Sequence, residues 1–323
     1  MTRLLVAGKL HPAGEAMIDS LREAGHHVDY VPDQDERAFV PYLPEADALA
    51  IRTQPLDAGM IASAGRLRVV SRHGVGYDAV NVEALNERHI ALTVVGDVNS
   101  VSVAEHAMMQ LLAGAKRAVA ADHAVRESGH WGWRNALEAR ELWGKTLLII
   151  GFGRIGQRLA RMAGAFDMRV IGYDPYLPVG RWPEDLATPV DSLRQALGAA
   201  DFISVHMPPA PSPLLGPEEI AAMKPGVVLS NTARGGVIDE AALAGALSRG
   251  DVAFAGIDVF GTEPPGDGHP LVGSDNTLLS PHIGGLTDEA AERMAIACLR
   301  NAIDYLDGSI NPDLIVNREA IHA

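Results

Sequence analysis

Two doubly wound α/β domains, each a parallel sheet with helices on both faces, are what this sequence predicts. Three observations predict them. Short apolar runs alternate with helical patterns along the whole chain. One of those runs, Leu147 to Ile150, leads into three glycines, Gly151, Gly153 and Gly156, and then into a helical pattern through Ile155, Leu159 and Met162. The length, 323 residues, suits two domains of ordinary size, with apolar residues enough for a substantial core. Strands that alternate with helices pair in parallel, because each crossover helix carries the chain back to the same sheet edge.

The first 98 residues supply five strand candidates: residues 4–7, 27–31, 46–51, 67–71 and 90–95. An amphipathic helix is expected over 12–24, where Met17, Ile18 and Leu21 share a face and Gly25 stops the pattern. Further helical stretches are expected near Glu36 to Leu43 and over 58–64 and 82–87. A long helix is expected next, over 102–126, with Ser100 or Ser102 as its cap and Glu105 completing a capping box with Ser102. It is apolar nearly all round, through Val103, Ala104, Ala107, Met108, Met109, Leu111, Leu112 and Ala113. Such a helix is buried either between layers or between subunits. Trp131, Trp133 and Trp143 follow on an irregular stretch that marks an interface or covers a domain edge. Beyond residue 174, strands are expected over 202–206, 227–231, 253–259 and 277–280. Helices are expected over 239–249, capped by Asp239, and over 288–306, stopped near Gly308.

The glycine turn is the most informative stretch. Gly151 permits a tight turn out of its strand, Gly153 lets the backbone approach a pyrophosphate, and Gly156 lets the helix pack closely on the sheet. Free N–H groups at the helix start, with the helix dipole, attract phosphate. A second strand, 168–173, ends on Asp174, 18 residues beyond Gly156 (174 − 156). Its carboxylate suits the two hydroxyls of an adenosine ribose and would repel a 2′-phosphate, and neither Pro175 nor Tyr176 brings a cation. The expected cofactor is NAD and not NADP.

Composition narrows the remaining classes. The formal net charge of −14 disfavours non-specific nucleic-acid binding, since a phosphate backbone needs a basic face. Cys298 is the only cysteine, so no intrachain disulfide is possible. It lies in an apolar helical pattern, as a buried small residue would. No apolar run approaches the ~20 residues of a membrane span, and the opening strand is too brief for a signal peptide. A soluble cytoplasmic protein is expected. His11, His26, His27, His89, His123, His130, His269 and His322 read as surface residues, with no metal-ligand spacing among them.

Ligands of open parallel sheets sit beyond the carboxyl ends of the strands. In the second half those ends offer His206, then Asn231–Thr232–Ala233–Arg234–Gly235–Gly236, then Asp258 and Glu263, then His282 followed by Gly284–Gly285. An arginine, a carboxylate and a histidine suit reduction of a 2-oxo acid by hydride. The guanidinium holds the substrate carboxylate and polarises the carbonyl, the histidine gives the proton, and the carboxylate favours and orients the imidazolium. Each also has a duller reading, as a turn residue, a loop residue or a satisfied strand-end histidine. In the first half, His73–Gly74–Val75–Gly76 follows a strand, and its glycines expose N–H groups that could hold a carboxylate.

The blocks SRHGVGYDAVNVEA, NSVSVAEHAM, LLIIGFGRIGQRLA, NTARGGVIDE, AGIDVFGTEPP and LSPHIGG together resemble the D-isomer-specific 2-hydroxyacid dehydrogenase family. The likeness is greatest to its D-3-phosphoglycerate dehydrogenase and hydroxypyruvate reductase branches. The resemblance implies a Rossmann-type NAD domain, residues 99–289, inserted in a flavodoxin-like substrate-binding domain made of residues 1–98 and 290–323. It implies a homodimer built through the NAD domains and the helix after residue 100. It implies Arg234, Glu263 and His282 as catalytic residues. Cofactor contacts carry over to Gly151, Gly153, Arg154, Ile155, Gly156, Asp174, Thr232, Ala233, Asp258, Gly284 and Gly285, and substrate contacts to Arg52, Arg72, Gly74, Val75 and Gly76. His73, Val75 and Ala79 depart from the phosphoglycerate branch beside those arginines. Formate dehydrogenases carry glutamine where Glu263 stands. A relative of another class, an NAD(H)-sensing corepressor-like binding protein, is the alternative.

Overall fold

The computed structural model describes residues 2–33, 35, 37–183 and 185–321. The chain divides into two compact units, Met1–Asn99 with Leu286–Ala323, and Ser100–Gly285.

The first unit opens with β1 (Arg3–Ala7), α1 (Pro12–Glu23), β2 (His27–Val31), β3 (Ala48–Ile51), α2 (Ala58–Ser63), β4 (Val69–Arg72), α3 (Val82–Glu87) and β5 (Ala91–Thr93). All five strands are parallel, in the order β2-β1-β3-β4-β5. Leu4, Val6, Ala48, Ala50 and Val69 face one apolar cluster, and Leu5, Ala7, Leu49, Ile51 and Val70 face the other. A sheet covered on both faces needs apolar residues at successive positions, so these strands read as continuous runs and not as alternating ones. Asp57 and Asn81 cap α2 and α3 through their side chains. The helix expected near 36–43 is instead a 3-10 helix, Val40–Glu45. Pro41 and Pro44 lack the N–H groups that an α-helix would use there. Glu36 itself lies outside the described residues.

The second unit contains α4 (Ser100–Lys116), α5 (Ala118–Arg126), β6 (Thr146–Ile150), α6 (Arg154–Ala165), β7 (Arg169–Tyr173), β8 (Thr188–Pro189), α7 (Leu193–Ala199), β9 (Phe202–Val205), α8 (Pro217–Ala221), β10 (Val227–Asn231), α9 (Glu240–Arg249), β11 (Val252–Ile257) and β12 (Thr277–Leu279). Its strands are parallel in the order β12-β11-β10-β9-β6-β7-β8. The winding reverses between β6 and β9, which makes a crevice beyond their carboxyl ends.

The single helix expected over 102–126 is two helices. Arg117 takes a left-handed conformation, φ 53°, between α4 and α5. Its guanidinium is anchored on Glu138 (3.0 Å), Asn276 Oδ1 (2.8 Å) and the Ala253 carbonyl (3.2 Å), which hold the break open. Helix α4 begins at Ser100, so Ser102 lies inside its first turn, where no capping box with Glu105 can form. Within one chain α4 is buried on one side. Ala104, Ala107 and Leu111 are fully buried, whereas Met109 is 42% exposed. Close approach on the buried side is set by glycine. A Cβ on Gly114 would stand 2.6 Å from Phe254 and Val228 side-chain atoms.

The chain then returns to the first unit as α10 (Asp288–Asp307), capped by Thr287 and ended by Gly308, and the short α11 (Arg318–Ile321). Ser71 Oγ donates to the Cys298 carbonyl (2.7 Å) and Cys298 Sγ donates to the Ser71 carbonyl, tying α10 to β4. Burial pushes the Cys298 thiol up to about 12, so it stays protonated and inert. No described helix is long and apolar enough to cross a membrane.

Candidate active site

The glycine turn after β6 is built from bare backbone. Gly151 has φ 94°, and a Cβ there would stand 2.6 Å from the His206 carbonyl oxygen. A Cβ on Gly156 would collide with the Gly151 carbonyl, so α6 packs against the turn itself. Around Gly153 nothing lies within 4 Å of a built Cβ. Gly153 caps α6 without a side-chain bond, which leaves the first-turn amides, those of Arg154 and Ile155 among them, to an outside acceptor. Asp174, after β7, accepts from the Phe152 amide (2.8 Å) and the Tyr176 amide (2.9 Å). Each of its oxygens retains acceptor capacity for a ribose hydroxyl.

Two buried polar atoms at neighbouring strand ends lack a partner among the described residues: Thr232 Oγ1 after β10 and His206 Nδ1 after β9. His206 Nε2 meets Ser204 Oγ at 2.9 Å. Burial pushes the His206 imidazole down to about 3, so it is neutral. Space at Gly153, open helix amides, a carboxylate at the next strand end and unmatched polar atoms beside the crevice together fit an adenine dinucleotide.

The other end of the same sheet edge carries the acid/base candidates. His282 Nδ1 lies 2.8 Å from Glu263 Oε2, and Glu263 Oε1 accepts from the Phe260 amide at 3.0 Å. His282 has φ 54°, a left-handed value that a non-glycine residue adopts only when its surroundings impose it. Its side chain is half exposed, and its amide donates to the Asp258 carbonyl (2.8 Å). Asp258 is 2% exposed. Its Oδ1 accepts from Ser280 Oγ (2.5 Å) and the Ile283 amide (2.9 Å), and its Oδ2 accepts from the Gly284 amide (2.8 Å). At Oδ2 one lone pair is left for a cofactor.

Arg234 follows β10 on a turn held by Asn231, which accepts from the Ala233 amide (3.0 Å) and donates to the Arg234 carbonyl (3.1 Å). Arg234 Nη1 donates to the Ala233 carbonyl at 2.7 Å. A Cβ on Gly235 would overlap the Phe260 carbonyl, so this turn lies directly on the loop that carries Glu263. That loop is tethered by Glu240, which accepts from the Gly261 amide (2.8 Å) and meets His269 Nε2 at 2.9 Å. His269, expected on the surface, has a side chain only 12% exposed, because it is enclosed between Glu240 and the edge of Phe260. His11 and His26 also differ from that expectation: His11 caps α1 from Nδ1, and His26 Nδ1 is buried. His322 lies outside the described residues.

In the first unit, Arg52 and Arg72 stand at the ends of the neighbouring strands β3 and β4. Arg52 donates to the Lys9 carbonyl (3.3 Å) and Arg72 to the His73 carbonyl (3.2 Å). His73 is buried, and burial, with Arg52 and then Arg72 nearby, pushes it down to about 4. Gly74 has φ 148° and leads into Val75 and Gly76, both partly exposed.

Sequence reasoning passed over His106, Ser280 and Glu240, all of which shape the site. His106 was the easiest of them to notice, since it is the one imidazole in a largely apolar helical run.

Residues 108–284 match the family model described as D-isomer specific 2-hydroxyacid dehydrogenase, NAD binding domain. The chain belongs to the D-isomer specific 2-hydroxyacid dehydrogenase family. Its second unit is accordingly an NAD-binding domain. A D-3-phosphoglycerate dehydrogenase of Mycobacterium tuberculosis is 39% identical over 315 residues, covering 97% of this chain and 58% of the relative. The chain thus spans a little under three fifths of that relative's length. A glyoxylate reductase of Aeropyrum pernix is 37% identical over 285 residues, 86% of this chain and 84% of the relative. Among solved structures, an NAD-dependent formate dehydrogenase from Staphylococcus aureus in complex with NAD superposes with a TM-score of 0.85 at 26% identity, covering 97% of this chain and 98% of that one.

Proposed function

We propose that the protein is an NAD-dependent oxidoreductase that interconverts a D-2-hydroxy acid and its 2-oxo acid. The observation that carries the reading is the 2.8 Å contact between His282 and Glu263, set on the edge of an NAD-binding sheet. When bound, NAD supplies or accepts the hydride. Gly151, Gly153, Arg154, Ile155 and Gly156 hold its pyrophosphate, Asp174 its ribose, and Thr232, Ala233, Asp258, Gly284 and Gly285 its remaining polar edge. His282, with Nδ1 turned to Glu263, keeps Nε2 for the substrate oxygen. In the reducing direction it gives that oxygen a proton, and in the oxidising direction it takes one away. Glu263 favours the imidazolium and fixes the ring. Arg234 grips the substrate carboxylate and polarises the carbonyl. For the first unit we carry over Gly74, Val75 and Gly76, whose backbone amides suit a carboxylate, and Arg52 and Arg72, whose charge suits a second anionic group.

The exposed face of α4 around Met109 and Leu112 suits a second copy of the chain, so we propose a homodimer. The acid itself is of the small kind that the glyoxylate and phosphoglycerate relatives are named for. The test is oxidation of NADH and of NADPH against glyoxylate, hydroxypyruvate, 3-phosphohydroxypyruvate, 2-oxoglutarate and bulkier 2-oxo acids. Turnover with NADH of at least one small acid is expected. Binding of NADH with no turnover of any of them would favour an NAD(H)-sensing binding protein instead.

A further inference from the structure

We infer that His106, on α4, is a positioning residue for His282, acting through Ser280 and Asp258. The inference rests on the reading of His282 as the acid/base. His106 Nε2 lies 2.9 Å from Ser280 Oγ, and Ser280 Oγ lies 2.5 Å from Asp258 Oδ1. An ionised carboxylate only accepts, so the single hydroxyl proton of Ser280 goes to Asp258, and Nε2 of His106 must be the donor to Ser280. His106 Nε2 is also 3.6 Å from Asp258 Oδ1. The chain of donors ends on the turn itself, because the carboxylate accepts from the amides of Ile283 (2.9 Å) and Gly284 (2.8 Å), the two residues after His282.

The geometry of that turn explains why it needs such a floor. His282 sits at φ 54°, and its half-exposed side chain meets Glu263 at one end only, Nδ1, so its strained backbone is held from below. A Cβ on Gly284 would stand 2.9 Å from Asp258 Oδ2 and 3.5 Å from the His106 ring. The turn therefore rests directly on the carboxylate and the imidazole. Asp258, at 2% exposed, is a buried anion whose place depends on the donors around it. Without His106, Ser280 loses the group that directs its hydroxyl at Asp258. A packing role alone would be met by any apolar side chain of similar size. A donor role would be met only by a side chain that can still give a proton to Ser280.

The test is amide hydrogen exchange on the full chain, following the peptide that contains Ile283 and Gly284 and, as a control, one from β6. In His106→Leu the turn amides are expected to exchange at least about tenfold faster, with the control unchanged. In His106→Gln, whose amide can still donate, exchange is expected to return close to that of the natural protein. Unchanged exchange in His106→Leu, or an equal increase in both variants, would overturn the inference. If His106→Leu does not fold, Ser280→Ala cuts the same chain one link further on. It must give the same increase, and unchanged exchange there overturns the inference too.

Turnover is a separate readout. In an active protein, His106→Leu should lower kcat about tenfold with little change in KM. It should lower it no further in a His282→Gln background. An equal loss in both backgrounds would mean that His106 does not act through His282. Inactivity of the natural protein on every 2-oxo acid would sink the dehydrogenase reading, while the exchange result would still decide what holds the turn.

Discussion

Two turns on one sheet edge of the second unit are built in opposite ways. The turn after β6 is three glycines with open space at Gly153 and no side chain capping α6. The turn after β12 is packed on side chains: Asp258, Ser280 and His106 lie under it, and Glu263 holds its histidine. A turn that binds a phosphate through its own N–H groups has to keep side chains out of the way. A turn that must present one side chain in a fixed place needs its backbone held by others.

Substitutions can break or sharpen this contrast. The largest effect is expected at the packed turn. Asp258→Ala strands the Ser280 hydroxyl and the Ile283 and Gly284 amides, at about 1–3 kcal/mol for each buried group left unmatched. Urea unfolding should therefore show a loss of at least about 3 kcal/mol. A loss below 1 kcal/mol would mean that the carboxylate does not support the turn.

At the bare turn, Gly151→Ala puts a Cβ 2.6 Å from the His206 carbonyl at a positive φ. A smaller loss of stability, about 1–2 kcal/mol, should come with NADH binding weakened well beyond tenfold, read by nucleotide fluorescence. Normal NADH binding in this variant would break the assignment of the turn to phosphate.

A strand end of the first unit extends the comparison, because there it is a histidine that is buried. His73 is held down to about 4, below its ordinary value of 6.5, by burial and by Arg52 and Arg72. Below pH 6.5 the unfolded chain therefore binds a proton that the folded chain refuses, and stability falls with pH until about 4. Between pH 7 and pH 5 this should cost up to about 2 kcal/mol in urea unfolding. His73→Gln should flatten that slope, and an unaltered slope would contradict the account. The smallest effect is expected from Asp174→Ala, which should weaken NADH binding about tenfold, about 1.4 kcal/mol. Gain of NADPH binding at the same time would sharpen the ribose assignment.

Much of this was legible in the residues. The run from Leu147 to Asp174 gave strand, turn, helix and strand because the positive φ of Gly151 and the contact of Gly156 with the Gly151 carbonyl are local to the turn, although the fit of Gly151 against His206 is not. Asp239 and Gly308 marked helix ends for the same reason. Arg234, Glu263 and His282 stood out by lying after strands, where parallel sheets collect ligands. What stayed hidden depends on distant partners. The break at Arg117 is set by Asn276 and Glu138, far along the chain. The enclosure of His269 needs Glu240, and the place of His106 needs Ser280, 174 residues away. Asp258 stands after a strand, where a cofactor contact is expected, and its burial under the 280–284 turn follows from a sheet register that no local pattern shows.

The central claim is that His282 moves the substrate proton, and its most direct test is His282→Gln. Kcat should be measured on the best 2-oxo acid, and NADH binding by fluorescence, in the same preparation. Turnover should fall by at least about a hundredfold with the NADH dissociation constant almost unchanged. Turnover within a few fold of the natural protein would contradict it.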